Sequence, residues 1–509
     1  MDIPFLSSLS IPSLPILPLL LILPILGAIF CFVIKNDQRH ARHMAILFSG
    51  ATMLLALLLL YDISSRGYVE SESYAWINTT FLHMNLDIGV DGMSMLMVLL
   101  TAILVFLVSI FSDTESEKSN TFFALIMAME AGLLGVYLAQ DYFLFFIFWE
   151  VALIPMFFLI SGWGGPRRHY AAMKFLIYTH VASMIMLIGI FMLVITAADG
   201  GTLNFSFEAV KSASAAGLFT TTFQTVVFGL LFFGFAVKMP LVPFHTWLPD
   251  AHVEAPTAGS VLLAGVMLKM GSYGIIRICL EALPEGAVAW QVVMIVLALV
   301  AILYGAYACI AQKDLKKMVA FSSISHMGFV LLGIATLSGI GIQFAIFQMF
   351  AHGLITAVLF MVCGIVGHNT GTRDIPLLGG LAGKMPVFAG FMMFGFLASL
   401  GLPGLVGFVA EFGLIMAFFE YLMSIDMLWP IGFALAALML TAGYYTWAMQ
   451  RTIFGKETVK VDLSNVHDVS RREGVALGVL CALIAWFGIM PWLIMDVLVD
   501  MPLVLLGVV

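Results

Sequence analysis

Four ionisable residues stand inside long apolar runs of this sequence: Glu150 in FFIFWEVALIP, Lys238 in GFAVKMPLVP, Lys269 in LLAGVMLKM and Glu411 in GFVAEFG. A charge at the centre of a bilayer costs about 2.5–3.5 kcal/mol on insertion scales, so these residues are expensive as packing. Lys238 is followed by Pro240 and Pro243, which remove helix donors and clash with carbonyls one turn back. A membrane helix broken beside a lysine exposes polar backbone that only a partner or a water-filled cavity can satisfy. Buried acids and bases at such a break suit an ion path, above all one for protons.

Glu150 falls near the middle of its apolar run, where no structural role needs a carboxylate unless a cation answers it. Lys238 is the expected partner. Desolvation loosens an ammonium group's hold on its proton and a nearby carboxylate tightens it. A Glu–Lys pair whose members can separate is therefore a proton switch. Lys269 is too central for its side chain to reach either surface easily. Glu411 follows a second break, GLPG from Gly401 to Gly404, and is the matching release candidate.

His326 in SSISHMGF and His352 in FAHGL lie within adjacent apolar runs. Imidazoles there suit a relay, although a histidine bonded to a helix carbonyl gives the same pattern. His245 and His252 flank an inner loop and read equally as interfacial residues. His180 and Glu130 are central in their runs, with functional and structural readings evenly matched. Lys174, near a span end, reads as a snorkelling residue or a modulator of Glu150. The five cysteines, with no CxxC pair, read as small core hydrophobes, so metal and iron–sulfur ligation are not expected. No phosphate loop, dinucleotide fingerprint or catalytic triad is present in the sequence.

The elements that must position these residues are membrane helices. The chain has 509 residues, 62% hydrophobic and only 10% charged, with a mean hydropathy of +1.08. Such a composition belongs to a polytopic all-α membrane protein. The predicted spans number about fourteen at roughly 20 residues each. They cover 14–35, 43–61, 92–112, 121–140, 142–162, 170–197, 221–247, 256–277, 288–311, 319–341, 343–367, 386–419, 427–449 and 473–495. With the amino terminus outside, the inner loops collect sixteen basic residues from Lys35 to Arg472. The outer side keeps only Arg66, Lys211 and Arg277. That asymmetry places both termini outward and the Arg451–Arg472 loop inside. Residues 1–13 lack Lys and Arg, so a secretory signal is not expected.

No loop is long enough for an independent core. Spans four to eight and nine to thirteen form two groups of five, and an odd number turns the second group over relative to the first. Each group contains one interrupted helix, KMPLVP in the seventh span and GLPG in the twelfth.

The stretches VDGMSMLMVLLT, DYFLFFIFWEVALIPMF, FAVKMPLVPFHTWLPDAHVEAPTAGSVLLAGVMLK, KDLKKMVAFSSISHMGF and GLPGLVGFVAEF resemble the antiporter-like membrane chains of respiratory complex I. The resemblance covers about residues 85–455. Of the M, L and N branches it is nearest to M, chain 4 in mitochondria. That branch carries glutamate in the broken twelfth helix, where L, N and sodium/proton antiporter relatives usually carry lysine. The chain also stops shortly after its last span, so the lateral helix of the L branch is not expected.

The resemblance implies a subunit of a redox-driven proton pump of the NADH:quinone oxidoreductase type. Residues 1–120 would hold three amino-terminal helices, 121–280 the uptake repeat, 281–450 the release repeat, and 451–509 the inner loop and last helix. Glu150 and Lys238 would form the uptake pair, Lys269, His326 and His352 the central axis, and Glu411 the outlet. Glu254 and His180 stand where some bacterial M chains carry neutral residues, which implies a local variation of the route. Flavin and iron–sulfur clusters would belong to a peripheral arm, with no cofactor in this chain. Implied partners are that arm, other antiporter-like and small membrane subunits, lipids and protons, and no nucleic acid. The implied location is the cell membrane. The electron donor would be NADH, ferredoxin or a reduced deazaflavin, and the acceptor quinone or methanophenazine. Competing readings are a subunit of a multisubunit sodium/proton antiporter, a subunit of a membrane-bound hydrogenase, and a scaffold with a vestigial polar axis.

Overall fold

The computed structural model of the chain describes residues 15–34, 38–66, 70–112, 118–457 and 466–499. Lys35 and Lys460, both terminal segments, and part of the Arg451–Arg472 loop lie outside the described residues. Among those described, fourteen helices are long and apolar enough to cross a membrane.

Three helices lead the chain: α1 (Ile16–Val33), α2 (Gln38–Arg66) and α3 (Gly92–Phe111). The first five-span group is α4 (Ser119–Leu138), α5 (Tyr142–Trp163), α6 (Arg168–Ala197), the broken pair α8 (Thr221–Lys238) and α9 (Trp247–Glu254), and a composite eighth span. That span runs from α10 (Thr257–Leu262) to α11 (Leu268–Gly274), with wide π-turns at Leu263–Met267 and Ile275–Leu280. The second group is α12 (Pro284–Ile310), α13 (Leu315–Ala335), α14 (Gly339–Thr370), the broken pair α15 (Pro386–Ser399) and α16 (Val406–Ser424), and α17 (Ile431–Thr452). The last span is α18 (Arg471–Ile489), followed by α19 (Trp492–Val499). Each group breaks its fourth span, and five crossings per group invert one group relative to the other.

Local chemistry sets the helix ends. Asp91 caps α3 by accepting the Ser94 amide at 2.9 Å, and Asp141 caps α5 by accepting the amides of Phe143 and Leu144. Pro284 and Pro386 open α12 and α15, where a missing N–H costs nothing. The seventh span stops at Lys238 because Pro240 and Pro243 supply no amide hydrogens. The Trp247 indole then donates to the Val237 carbonyl at 3.0 Å, so one carbonyl freed by the break is satisfied. In the twelfth span Gly401 and Gly404 adopt φ of 80° and 92°, a region that favours glycine.

The core lies where the eighth, tenth and eleventh spans meet, with the eighth and tenth wholly enclosed by the rest of the chain. Close approach there needs glycine. A Cβ on Gly271 of α11 would sit 2.6 Å from the Phe235 carbonyl oxygen and 2.8 Å from the Met239 nitrogen. Helix α11 is thus pressed against the backbone where the seventh span breaks.

The connections from α2 to α3 and from α6 to α8 hold further secondary structure. Strands β1 (Glu70–Asn78) and β2 (Leu82–Val90) form an antiparallel hairpin, and β3 (Leu203–Asn204) adds in parallel to β2. A short helix, α7 (Phe207–Ala215), follows. Two basic residues at span ends are buried. Arg277, expected at the outer end of the eighth span, is buried against Asp91 and Glu281. Lys316, expected in an inner loop, is buried in the first turn of α13 and donates to the Ala255 carbonyl.

Candidate functional site: a buried line of acids and bases

Lys269 rises from α11 between the two π-turns and is completely buried. Its Nζ donates to the Ala264 carbonyl in the preceding wide turn and lies 2.7 Å from Nδ1 of His352 on α14. The His352 ring stands 5.5 Å, centroid to centroid, from the ring of His326 on α13. His326 Nδ1 lies 2.8 Å from Oε1 of Glu411 on α16, and both side chains are almost wholly enclosed. Four of the residues expected to matter therefore form one line across four helices.

The broken twelfth helix shapes the end of that line. Ser399, the last residue of α15, places its hydroxyl 3.2 Å from His326 Nε2 and 2.7 Å from the Tyr445 hydroxyl. Tyr445 in turn donates to Ser322 at 3.0 Å. A Cβ on Gly401 would approach Glu411 Oε2 to 3.3 Å, so the glycine of the break leaves room beside the carboxylate. Ser322, Ser399 and Tyr445 were not singled out from the sequence. Hydroxyls in apolar runs are common, and only the break at GLPG hinted at one there.

At the other end the expected contact pair is not formed. Glu150 on α5 places Oε2 2.8 Å from His180 Nδ1, and Oε1 accepts the Ser183 hydroxyl, both partners being on α6. Lys238 Nζ stands 5.6 Å from the ring centroids of both Trp149 and Phe175 and has no hydrogen-bond partner among the described residues. Ring faces attract a cation more weakly than a carboxylate does. Physically, α6 carries two polar groups one turn apart that reach Glu150 first.

The secondary candidates separate by role. Lys174 is neither a free snorkelling residue nor a partner of Glu150, since its Nζ lies 2.7 Å from Asp250 on α9. Glu254 accepts the Arg167 amide at 2.8 Å and so ties the α5–α6 turn. His245 packs its ring on Tyr304. His252 is fully buried, stacked on Phe360, with neither ring nitrogen bonded among the described residues. Glu130 is likewise buried with neither carboxylate oxygen bonded among them. A cavity of about 670 Å³ at the loops joining the spans is lined by Glu254, Asp314, Lys316, His368 and Arg373, among others. At the opposite end of the spans Arg277 joins Asp91, Glu281 and the Tyr273 hydroxyl in one cluster.

Two inverted helix groups around a buried line of lysine, histidine and glutamate define a multi-pass membrane protein of the ion-translocating class. A family profile described as the transmembrane domain of NADH:quinone oxidoreductase and Mrp antiporters matches residues 139–441. F(420)H(2) dehydrogenase subunit M of Methanosarcina mazei is 42% identical over 483 residues, covering 94% of this chain and 95% of the relative. NADH-quinone oxidoreductase subunit M of Rhodobacter capsulatus is 38% identical over 487 residues, covering 93% of each. Among solved structures, a chain of respiratory complex I from Thermus thermophilus superposes with a TM-score of 0.85 at 27% identity, covering 97% of this chain and all of that one. The chain belongs to the NADH:quinone oxidoreductase/Mrp antiporter membrane family.

Proposed function

We propose that the chain is the antiporter-like membrane subunit of a complex I-type proton pump and carries no redox centre of its own. Electrons pass from NADH or a reduced deazaflavin to quinone or methanophenazine in partner subunits that hold flavin and iron–sulfur clusters. Their transfer drives protons outward through this chain. Residues 121–280 form the uptake half, with Glu150 and Lys238. Residues 281–450 form the release half, ending at Glu411. Neighbouring membrane subunits flank the chain in the cell membrane, and both termini face outward.

The observation that carries this reading is the buried line Lys269–His352–His326–Glu411, which ends beside the break in the twelfth span. Unused charges in such a place would cost stability without return. A sodium/proton antiporter subunit is the second reading, because the matching family includes Mrp chains. The carboxylate of Glu411, rather than a lysine, favours the redox-driven pump.

The test is Glu411→Gln in the intact complex, with donor-driven acidification read in inside-out vesicles. Assembly should survive while pumping falls about 10²-fold, the scale of losing a positioned acid–base group. A parental proton-to-electron ratio in the assembled variant would remove Glu411 from the route. Orientation is tested by Arg472→Cys, which an impermeant thiol reagent should label only from the inner side.

A further inference from the structure

Glu150 is held by α6 and not by α8. Its carboxylate binds His180 at 2.8 Å and takes the Ser183 hydroxyl. Lys238 meanwhile is sealed against Trp149 and Phe175 with no hydrogen-bond partner among the described residues. One carboxylate thus has two cation-capable neighbours on two helices, and it touches only one. We infer that His180 is the alternative partner of Glu150, and that the proton on His180 decides whether the carboxylate stays on α6 or turns to Lys238.

This inference rests on the proton-translocating reading and supplies its switch. A protonated imidazole binds a carboxylate by a charge-assisted hydrogen bond, roughly twice as strong as a neutral one. With His180 charged, Glu150 remains on α6 and Lys238 faces only aromatic rings. With His180 neutral, the pull of the Lys238 ammonium prevails and the Glu–Lys pair closes. A proton arriving on His180 therefore sends one from Lys238 towards Lys269, and the net charge of the three side chains is unchanged.

Access differs in the direction this requires. The His180 side chain is 51% exposed on the flank of the chain, whereas Lys238 is buried. His180, midway along α6, is open on that flank to a group on an adjoining subunit, and Lys238 is not. Other charges near α6 do not compete. Lys174 is engaged by Asp250 and Glu254 by the Arg167 amide. Glu208 and Lys211 of α7 lie on the outer-loop helix, with Lys211 3.8 Å from Glu281.

The experiment compares parent, Glu150→Gln, His180→Gln and His180→Leu in the intact complex, reading assembly, donor-driven pumping and its pH profile. Glutamine can still hydrogen-bond Glu150 but carries no charge. In assembled His180→Gln, pumping should fall about tenfold, the scale of losing the charge from a charge-assisted hydrogen bond. Its profile between about pH 5 and 8, where histidine changes charge, should flatten. His180→Leu should behave the same way, and His180→Gln decides if the leucine variant fails to assemble. Parental rate and pH profile in His180→Gln, with Glu150→Gln inactive, would overturn the role of His180 alone. Normal pumping by Glu150→Gln would instead overturn the translocation reading on which it rests.

Discussion

Lys269 Nζ lies 2.7 Å from His352 Nδ1, so the most enclosed lysine of the line is bonded to an imidazole and not to a carboxylate. Two cations side by side in a buried core repel strongly. The pair therefore holds at most one positive charge, and a proton reaching Lys269 favours departure of one through His352. His326, one ring away, is the next acceptor, and Glu411 lies beyond it.

His352→Gln keeps a hydrogen-bonding side chain beside Lys269 but cannot pass a proton through a ring. Donor-driven pumping should fall about 10²-fold with assembly intact. Pumping at the parental rate would take His352 out of the line.

Lys238→Arg tests whether the cation must let go. Arginine stays protonated in proteins, and its planar head suits the Trp149 and Phe175 rings that surround Lys238. The complex should assemble and turn over slowly, and an uncoupler should not restore the rate. If the assembled variant pumps normally, the lysine is a structural cation.

Tyr445→Phe removes one hydroxyl that touches both Ser399 and Ser322, next to His326. A single net hydrogen bond is worth about 0.5–1.5 kcal/mol, so pumping should drop only about two- to tenfold. A loss as deep as that of Glu411→Gln would mean that Tyr445 itself carries protons.

Gly271→Ala places a methyl group against the backbone at Phe235 and Met239. Overpacking of this kind costs about 1–3 kcal/mol, and here it pries α11 from the break beside Lys238. The thermal midpoint of the purified complex should fall, and pumping with it. An unchanged midpoint would show that the two helices can part freely.

The Arg277 cluster provides a pH-dependent contrast. Burial raises the Asp91 carboxyl, but Arg277 together with hydrogen bonds from Ser94 holds Asp91 below the usual carboxylate range. A carboxyl lowered in the folded state contributes stability above its unfolded value, near 3.9, and loses it as pH falls through the folded one. The pair is thus at full strength at neutral pH and weakens below about pH 4. Arg277→Gln leaves Asp91 buried and unpaired, at a cost of about 3–5 kcal/mol. Thermal stability should fall at pH 7 while pumping per assembled complex stays near parental. Unchanged stability would show that the cluster is not structural.

Much of this architecture was legible in the sequence because lipid imposes a simple rule. Long apolar runs mark the spans, and charge asymmetry orders the loops. Pro240, Pro243 and the GLPG turn marked both breaks correctly. Glu150, Lys238, Lys269 and Glu411 stood out because charge in an apolar run is conspicuous. Partner choice was not legible. Opposite charges suggested Glu150 with Lys238, yet the contact goes to His180 and Ser183, because proximity between helices depends on rotation about each axis. The hairpin between α2 and α3 was not expected, although Leu82, Met84, Leu86, Ile88 and Val90 alternate with other residues in the two-residue period of a strand. Nine-residue strands hold no apolar run long enough to mark a membrane helix.

The two glutamates differ in how far a change of charge on them is felt. The Glu150 side chain is 22% exposed on the flank of the chain, so whatever adjoins α5 and α6 there sets its electrostatic reach. The Glu411 side chain, at 5%, sits where little can rearrange to mask it. At an effective dielectric constant of about 20, a unit charge still acts on another about 10 Å away with roughly 1.7 kcal/mol. Gain or loss of a proton at Glu411 is therefore sensed by groups of this chain well beyond those it touches, whereas the same event at Glu150 is also felt by whatever adjoins the flank of the chain. Unequal enclosure alone makes the two ends of the line electrically dissimilar, even though the helices around them repeat.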